Sequence, residues 1–256
     1  MPQYRIQERI AAILSAYDDF IENNRRRIRL LDQAARMIYE EWFVRLRFPG
    51  FERVSVADRV PEGWRKVRLS ELVTTQYGYT ESATEEPVGP KFLRGMDINK
   101  TSYIDWSAVP YCAKEHLDFE KYALKVDDIV VVRMADPGKV AIVEVEQKAV
   151  FASYLVRLSL RTGVGVAPLY LFFVLSDHVY QDFVSRASGG STRKSASAKL
   201  LVDFPVLLPP SQIVKRFLQC VGPLRQQIQN LLQQNASKRH ARDLLLPRLM
   251  NGEIAV

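Results

Sequence analysis

The sequence predicts an α+β protein in which one mixed domain is held between two long coiled-coil helices. Two observations carry most of that prediction. Residues 7–43 contain neither Pro nor Gly, and an apolar residue returns at alternating steps of four and three throughout. A fainter form of the same rhythm lies near the other end, and the stretch between reads as short apolar runs broken by Pro, Gly and Asp. The boundaries expected from these changes of pattern are 1–48, 49–208 and 209–256.

In the N-terminal segment the recurring positions are Ile10, Leu14, Tyr17, Ile21, Asn24, Ile28, Leu31, Ala35, Ile38 and Trp42. A period of about 3.5 residues held this long specifies a helix packed along its length in a left-handed coiled coil. At about 1.5 Å per residue that helix would run roughly 55 Å. Asn24 is the polar exception, at a place where a polar seam residue fixes register and orientation at some cost in stability. Arg25, Arg26, Arg27 and Arg29 fall on the outer faces, which suits a solvated surface and also contact with phosphate or a partner. Pro49-Gly50 closes the segment.

The C-terminal seam is Phe217, Val221, Leu224, Ile228 and Leu231, followed by polar Asn235. Gly222-Pro223 is expected to kink or restart this helix. Two helices with matching seams need each other, or a copy from a second chain.

Between them, Pro61-Glu-Gly-Trp64 reads as a turn into a short strand, and Ser70 as the cap of a brief helix with Glu71 in its first turn. Strand-like runs follow at Phe92–Ile98, Ile129–Met134, Val140–Val145 and Val150–Leu160. Pro168 opens a helix whose Leu169, Phe172, Phe173, Tyr180, Phe183 and Val184 share a face, stopped by Gly189-Gly190. A last apolar run, Leu200 to Leu208, ends at Pro209-Pro210. A domain of this size can bury a real core.

Composition narrows the function. Hydrophobic residues make up 47% and charged residues 25%, as in a folded chain rather than a disordered one. Lys and Arg number 36 against 29 Asp and Glu, a surplus of +7 that suits a polyanionic partner. Cys112 and Cys220 are far apart, without metal-ligand spacing, and are expected to be free, buried thiols in a reducing compartment. With no signal-peptide core and no long apolar run, the chain is expected to be soluble and cytoplasmic.

No catalytic constellation can be assembled. Asp136-Pro137-Gly138-Lys139 lacks the earlier Gly and the final Ser or Thr of a phosphate-binding loop, and reads as a β-turn between two strands. His116, His178 and His240 stand on separate segments with no Cys or Glu at ligand spacing, and no nucleophile elbow is present. No cofactor or metal is expected for this chain.

Recognition chemistry is easier to find. Gln76, Tyr77, Tyr79 and Thr80 surround a glycine expected to be flexible, and offer groups that position on phosphate or reach a base edge. The loop Gly189–Lys199 holds nothing apolar larger than Ala, and its Ser191, Thr192, Arg193, Lys194 and Lys199 suit a phosphate clamp or a plain surface loop. Arg94 and Arg133, at strand ends, suit a local carboxylate such as Asp97 or a guanine. Lys139, in the turn, is a further candidate for DNA contact.

Taken in order, these segments resemble the specificity subunit of type I restriction–modification systems. IQERIAAILSAYDDFIENNRRRIRLLDQAARMIYEEWFVRLRFPG is similar to that family's central spacer, and PEGWRKVRLSELV to the opening of a target recognition domain. YGYT, KFLRGMDI, YALKVDDIVVVR, AVFASYLVRL, GGST and FPVLLPP follow in the family's order, and RDLLLPRLMNGEIAV resembles its C-terminal signature. There are two local departures. The family's Ala-Arg-Thr-Gly is here Val132-Arg-Met-Ala135, keeping the Arg and losing the Gly, and an Asn-containing stretch is replaced around Ser195–Ala198.

The resemblance implies a non-catalytic subunit that reads double-stranded DNA through one target recognition domain and holds methyltransferase subunits on its helices. S-adenosylmethionine would belong to those subunits, and ATP and magnesium to a nuclease/translocase subunit. The family's subunit has two recognition domains alternating with two spacers; one domain here implies a half subunit or the C-terminal half of a longer one, and as a half subunit it is expected to act as a homodimer, or paired with a second half subunit, on a palindromic, interrupted site. Two rivals remain open at this stage: a stand-alone DNA-modifying enzyme, methyltransferase or nuclease, and a coiled-coil adaptor without sequence readout.

Overall fold

A computed structural model describes residues 4–114, 119–188 and 194–254. The chain forms two compact units, one made of Met1–Ile38 with Cys220–Val256 and the other of Tyr39–Gln219. These limits give residues 39–48 and 209–219 to the middle domain rather than to the helical segments. The cause is aromatic. Phe217, fully buried, lies with its ring centroid 4.9 Å from Phe43, 5.4 Å from Phe173, 6.1 Å from Trp42 and 6.3 Å from Tyr39. The seam positions Trp42 and Phe217 therefore serve the core of the middle domain.

The helical unit is built from α1 (Tyr4–Tyr39) and the last helix of the chain, which covers Ser211–Met250. They pair within one chain and run antiparallel, because partner numbers fall on one helix as they rise on the other. Asp18 meets Arg242, Asn24 meets Asn235, and Asp32 meets Arg225. Ile10, Ile21, Ile28, Ala35, Val221, Ile228 and Leu231 are buried between them, and Leu14, Tyr17, Leu31, Ile38 and Leu224 are half-buried. Asn24 is buried too, its amide donating to Asn235 Oδ1 at 3.0 Å and to Gln234 Oε1 at 3.3 Å. Arg25, Arg26 and Arg29 share one carboxylate, Glu22, on the outer face.

The expected break at Gly222-Pro223 does not occur; the helix is continuous through it. Pro223 removes one helical bond, to the carbonyl of Gln219, but both residues are exposed, so water can serve that carbonyl. The packed seam of Val221, Ile228 and Leu231 keeps the helix from ending there.

The Tyr39–Gln219 unit opens with a π turn, Glu40–Val44, and a small hairpin of β1 (Val56–Ala57) and β2 (Val60–Pro61). β3 (Arg65–Arg68) leads into α2 (Leu69–Leu72), where Glu71 accepts from the backbone of Arg68 at 2.8 Å; the N-cap position is Arg68 rather than Ser70. Then come β4 (Val73–Tyr77), β5 (Ala83–Thr84), β6 (Lys91–Leu93), β7 (Tyr111–Cys112) and α3 (Phe119–Tyr122). β8 (Ile129–Val132), β9 (Val140–Ile142), β10 (Ala149–Phe151) and β11 (Leu155–Leu160) complete the sheets' centre. α4 (Pro168–Ser176), α5 (His178–Ala187), α6 (Ala198–Leu201) and β12 (Pro205–Leu208) precede the long C-terminal helix, α7.

Two four-stranded sheets dominate, ordered β4-β11-β8-β9 and β10-β6-β7-β5, beside the pair β12-β3. One apolar cluster joins both sheets, with Val130, Val132 and Leu155 from the first and Leu93, Ala149 and Phe151 from the second. Three expected elements are divided. The Phe92–Ile98 run is β6 followed by a 3-10 turn, Gly95–Asp97; Val150–Leu160 is β10 and β11; and the Pro168 helix breaks at Asp177, whose carboxylate caps α5 through Val179 N at 2.9 Å. Cys112 is buried, but Cys220 is exposed, contrary to expectation. Among the described residues no helix is long and apolar enough to cross a membrane.

Candidate nucleic-acid interface

β4 and β8 both pair antiparallel with β11, so they point the same way, and β6 and β10 are parallel. The segments that leave the C-terminal ends of these four strands are laced together by backbone bonds. Tyr79 N donates to Phe151 O at 2.8 Å, Ser153 N to Tyr79 O at 2.9 Å, Ala152 N to Leu93 O at 2.8 Å, and Arg133 N to Tyr154 O at 2.9 Å. Between them opens a cleft of about 440 Å³, lined by Tyr79, Thr80, Arg94, Met96, Met134 and Tyr154 among others.

Gly78 is the reason the lacing is possible. A Cβ there would collide with the carbonyl oxygens of Phe151 and Ala152. Its role is close approach of backbone to backbone, not the flexibility expected from the sequence.

Part of the basic loop joins the same place. Ala196 N donates to Arg133 O at 2.8 Å and Ala135 N to Lys194 O at 3.1 Å, with a bridge between Met134 and Ser195. Tyr77 ties in α6, its hydroxyl accepting from Ala198 N at 2.9 Å. The side chains of Lys194 and Lys199 are exposed. Ser191, Thr192, Arg193 and His116 lie outside the described residues.

The sequence-predicted contacts divide. Tyr77, Tyr79, Thr80, Arg94, Arg133 and Lys194 come together, with Lys199 beside them on α6. Gln76 does not join them. Its Oε1 accepts from Arg157 and its Nε2 donates to Lys121 O at 2.7 Å, so the amide braces β4 instead of facing outward. Lys139 closes the β8–β9 turn and lines no part of the cleft.

The two arginines differ in electrostatics. Arg94 forks onto Asp97, Nη2 to Oδ1 at 2.9 Å and Nε to Oδ2 at 3.1 Å, and its own N–H donates to Oδ2 at 2.8 Å. That hydrogen-bonded carboxylate holds the Arg94 guanidinium pKa above its already high ordinary value. Arg133 has no carboxylate among the described residues. Its guanidinium lies 5.0 Å from the Tyr77 ring centre, and its Nε is buried without a partner. Lys114, which the sequence did not single out, donates to Tyr79 Oη at 3.1 Å, a bond that raises the lysine's pKa.

Met96 and Tyr154 were also missed. Both are large, apolar and well exposed at the rim of the cleft, Met96 at 66% and Tyr154 at 50%. The available signal was an aromatic in the short turn Ala152–Tyr154 between two apolar strands. Asn99, on the cleft wall, keeps a buried Oδ1 with no partner. Among the described residues no group of three or more His, Cys, Asp or Glu is placed to hold a metal ion.

The chain thus holds an α+β unit whose cleft rim mixes cations with exposed Met96 and Tyr154, and a separate helix pair, and both have known counterparts. The chain is 25% identical, over all of its own length, to the MjaIX specificity subunit of a type I restriction enzyme from Methanocaldococcus jannaschii, and 22% identical to the MjaVIII specificity subunit of that organism. It spans 60% and 62% of those proteins. Among solved structures, the S subunit of a type I restriction–modification system from M. genitalium matches 96% of this chain and 61% of its own with a TM-score of 0.61, at 15% identity. A chain from a type I R-M system structure describing complex assembly matches with a TM-score of 0.51 at 19% identity, covering 99% of this chain and 61% of that one. No family model matches. The curated relatives are thus type I restriction enzyme specificity subunits, and the fold is that of S subunits.

Proposed function

We propose that this chain is a DNA sequence-recognition subunit of a type I restriction–modification complex. It reads one half-site with the Tyr39–Gln219 unit and docks methyltransferase subunits through its helices. The observation that carries this reading is the end-to-end match: the whole chain aligns with specificity subunits, and occupies about three fifths of each. One recognition domain with two spacers would take up that share. In this reading the chain supplies binding and geometry, with no cofactor or catalytic group of its own. Transfer of methyl groups and nuclease or translocase activity belong to the partner subunits.

Two half subunits reading one site would form a symmetric dimer. Exposed apolar side chains on the helical unit favour a further protein partner. Tyr4, Ile13, Leu30, Met37, Leu244 and Met250 stay exposed after α1 and α7 have paired. Co-expression with a type I methyltransferase subunit, followed by mapping of modified bases, tests the proposal. The expected product is a motif of two inverted halves separated by a fixed gap. A genome without a modified motif would overturn the reader role, and a motif without inverted halves would overturn the dimer.

A further inference from the structure

We infer that Arg133 sets the preference at one base pair of the half-site by presenting its guanidinium to a guanine edge, while Arg94 is a positioning residue. This rests on the reading of the chain as a DNA-recognition subunit. The argument starts from unmet hydrogen-bonding capacity. A guanidinium is a permanent cation with a planar fork of donors. Arg133 offers that fork only a methionine sulfur, at 3.4 Å, and the Ser153 carbonyl, at 3.5 Å, both weak partners. Its buried Nε has none, and no carboxylate answers the charge among the described residues. The buried Nε is out of reach of an incoming base, but the Nη groups, left with weak partners on a half-buried cation, would gain from an acceptor.

The arginine is also held in place. Its N–H donates to Tyr154 and its carbonyl accepts from Ala196, so the backbone is braced on both sides. The guanidinium carbon lies 5.0 Å from the Tyr77 ring centre, within cation–π range, and that tyrosine is itself pinned through its hydroxyl to Ala198. A planar fork fixed on an aromatic face suits a planar, two-acceptor target, and the O6/N7 edge of guanine in the major groove is one. Lys194, whose backbone bonds Ala135, and Lys199, next to the Ala198 that Tyr77 holds, are exposed point charges that suit phosphates. Arg94 spends its fork on Asp97 and shapes the cleft wall from within.

Selection of bound duplexes from a randomised library, with the full chain alone and co-expressed with methyltransferase subunits, tests this. The wild-type motif should contain a G·C pair whose preference falls about 5- to 150-fold in Arg133→Ala and in Arg133→Lys, with the remaining positions kept. Arg133→Lys preserves charge, so loss in that variant identifies the fork rather than electrostatics. Thermal unfolding of both variants checks that the fold is intact. An unchanged motif in folded Arg133→Ala overturns the inference and leaves the recognition reading standing. A uniform loss across all positions overturns it in favour of phosphate contact. A wild-type chain that enriches no motif overturns the recognition reading itself.

Discussion

Replacing Ala135 with glycine should stabilise this protein, although the change removes a methyl group. Ala135 has φ 70°, in the left-handed region. A side chain there is crowded against its own backbone at a cost of about 1–2 kcal/mol, which glycine escapes. Glycine also makes the unfolded chain freer, which takes back about 0.4–1 kcal/mol. The residue is exposed, so little packing is lost with the methyl. Its conformation is imposed from outside, by the bond from Ala135 N to Lys194 O and by the bracing of Arg133 on either side. The net gain is about 0–1.6 kcal/mol in favour of Ala135→Gly, centred near 1. Urea unfolding followed by circular dichroism would measure it, with DNA binding retained. A loss of stability would refute the assignment of strain to this turn.

Three further outcomes follow from the packing. Asn24→Leu should cost about 1–3 kcal/mol, because it strands the amide of Asn235 between the helices. The double variant with Asn235→Leu should recover much of that loss, with a coupling of about 0.5–3 kcal/mol in a double-mutant cycle; simple additivity would contradict the buried pair. Gly78→Ala should destabilise by about 1–3 kcal/mol and weaken DNA binding, read by thermal melts and by gel shift. Phe217→Ala should cost about 3–5 kcal/mol of stability in denaturant titration, since it empties the centre of an aromatic cluster.

The helices were legible because a seam is a local, repeated signal that needs no knowledge of the rest of the chain. Ile10 through Ile38 announce their burial by spacing alone. The sheets were half legible. Apolar runs marked β8, β10 and β11, but the single Gly95 after Leu93 is followed at once by further apolar letters, and nothing as strong as Gly or Pro marks the break after Phe151. The first break depends on Asp97 turning back to the Arg94 backbone, a local bond that a sequence of apolar letters hides. Gln76 shows the other limit. Its residue type suits adenine, yet its amide is occupied by Arg157, a residue 81 positions away that only the register of β4 on β11 brings alongside. The contrast between Arg94 and Arg133 is of the same kind, since the presence of a carboxylate neighbour is a fact of folding. The loss of the family's glycine at Ala135 was visible in the sequence, and its meaning came only with the sign of φ.

The antiparallel pairing of α1 with α7 also has a consequence for synthesis. The ion pairs that lie along the paired helices join residues 193 and 224 positions apart, and the apolar seam between them spans a similar separation. At about 5–20 residues per second, a ribosome takes roughly 10–45 s to deliver them. During that interval α1 has emerged with its apolar stripe uncovered, while much of the middle domain can already fold. A nascent chain of this design would need shelter for its first helix until the last one leaves the ribosome.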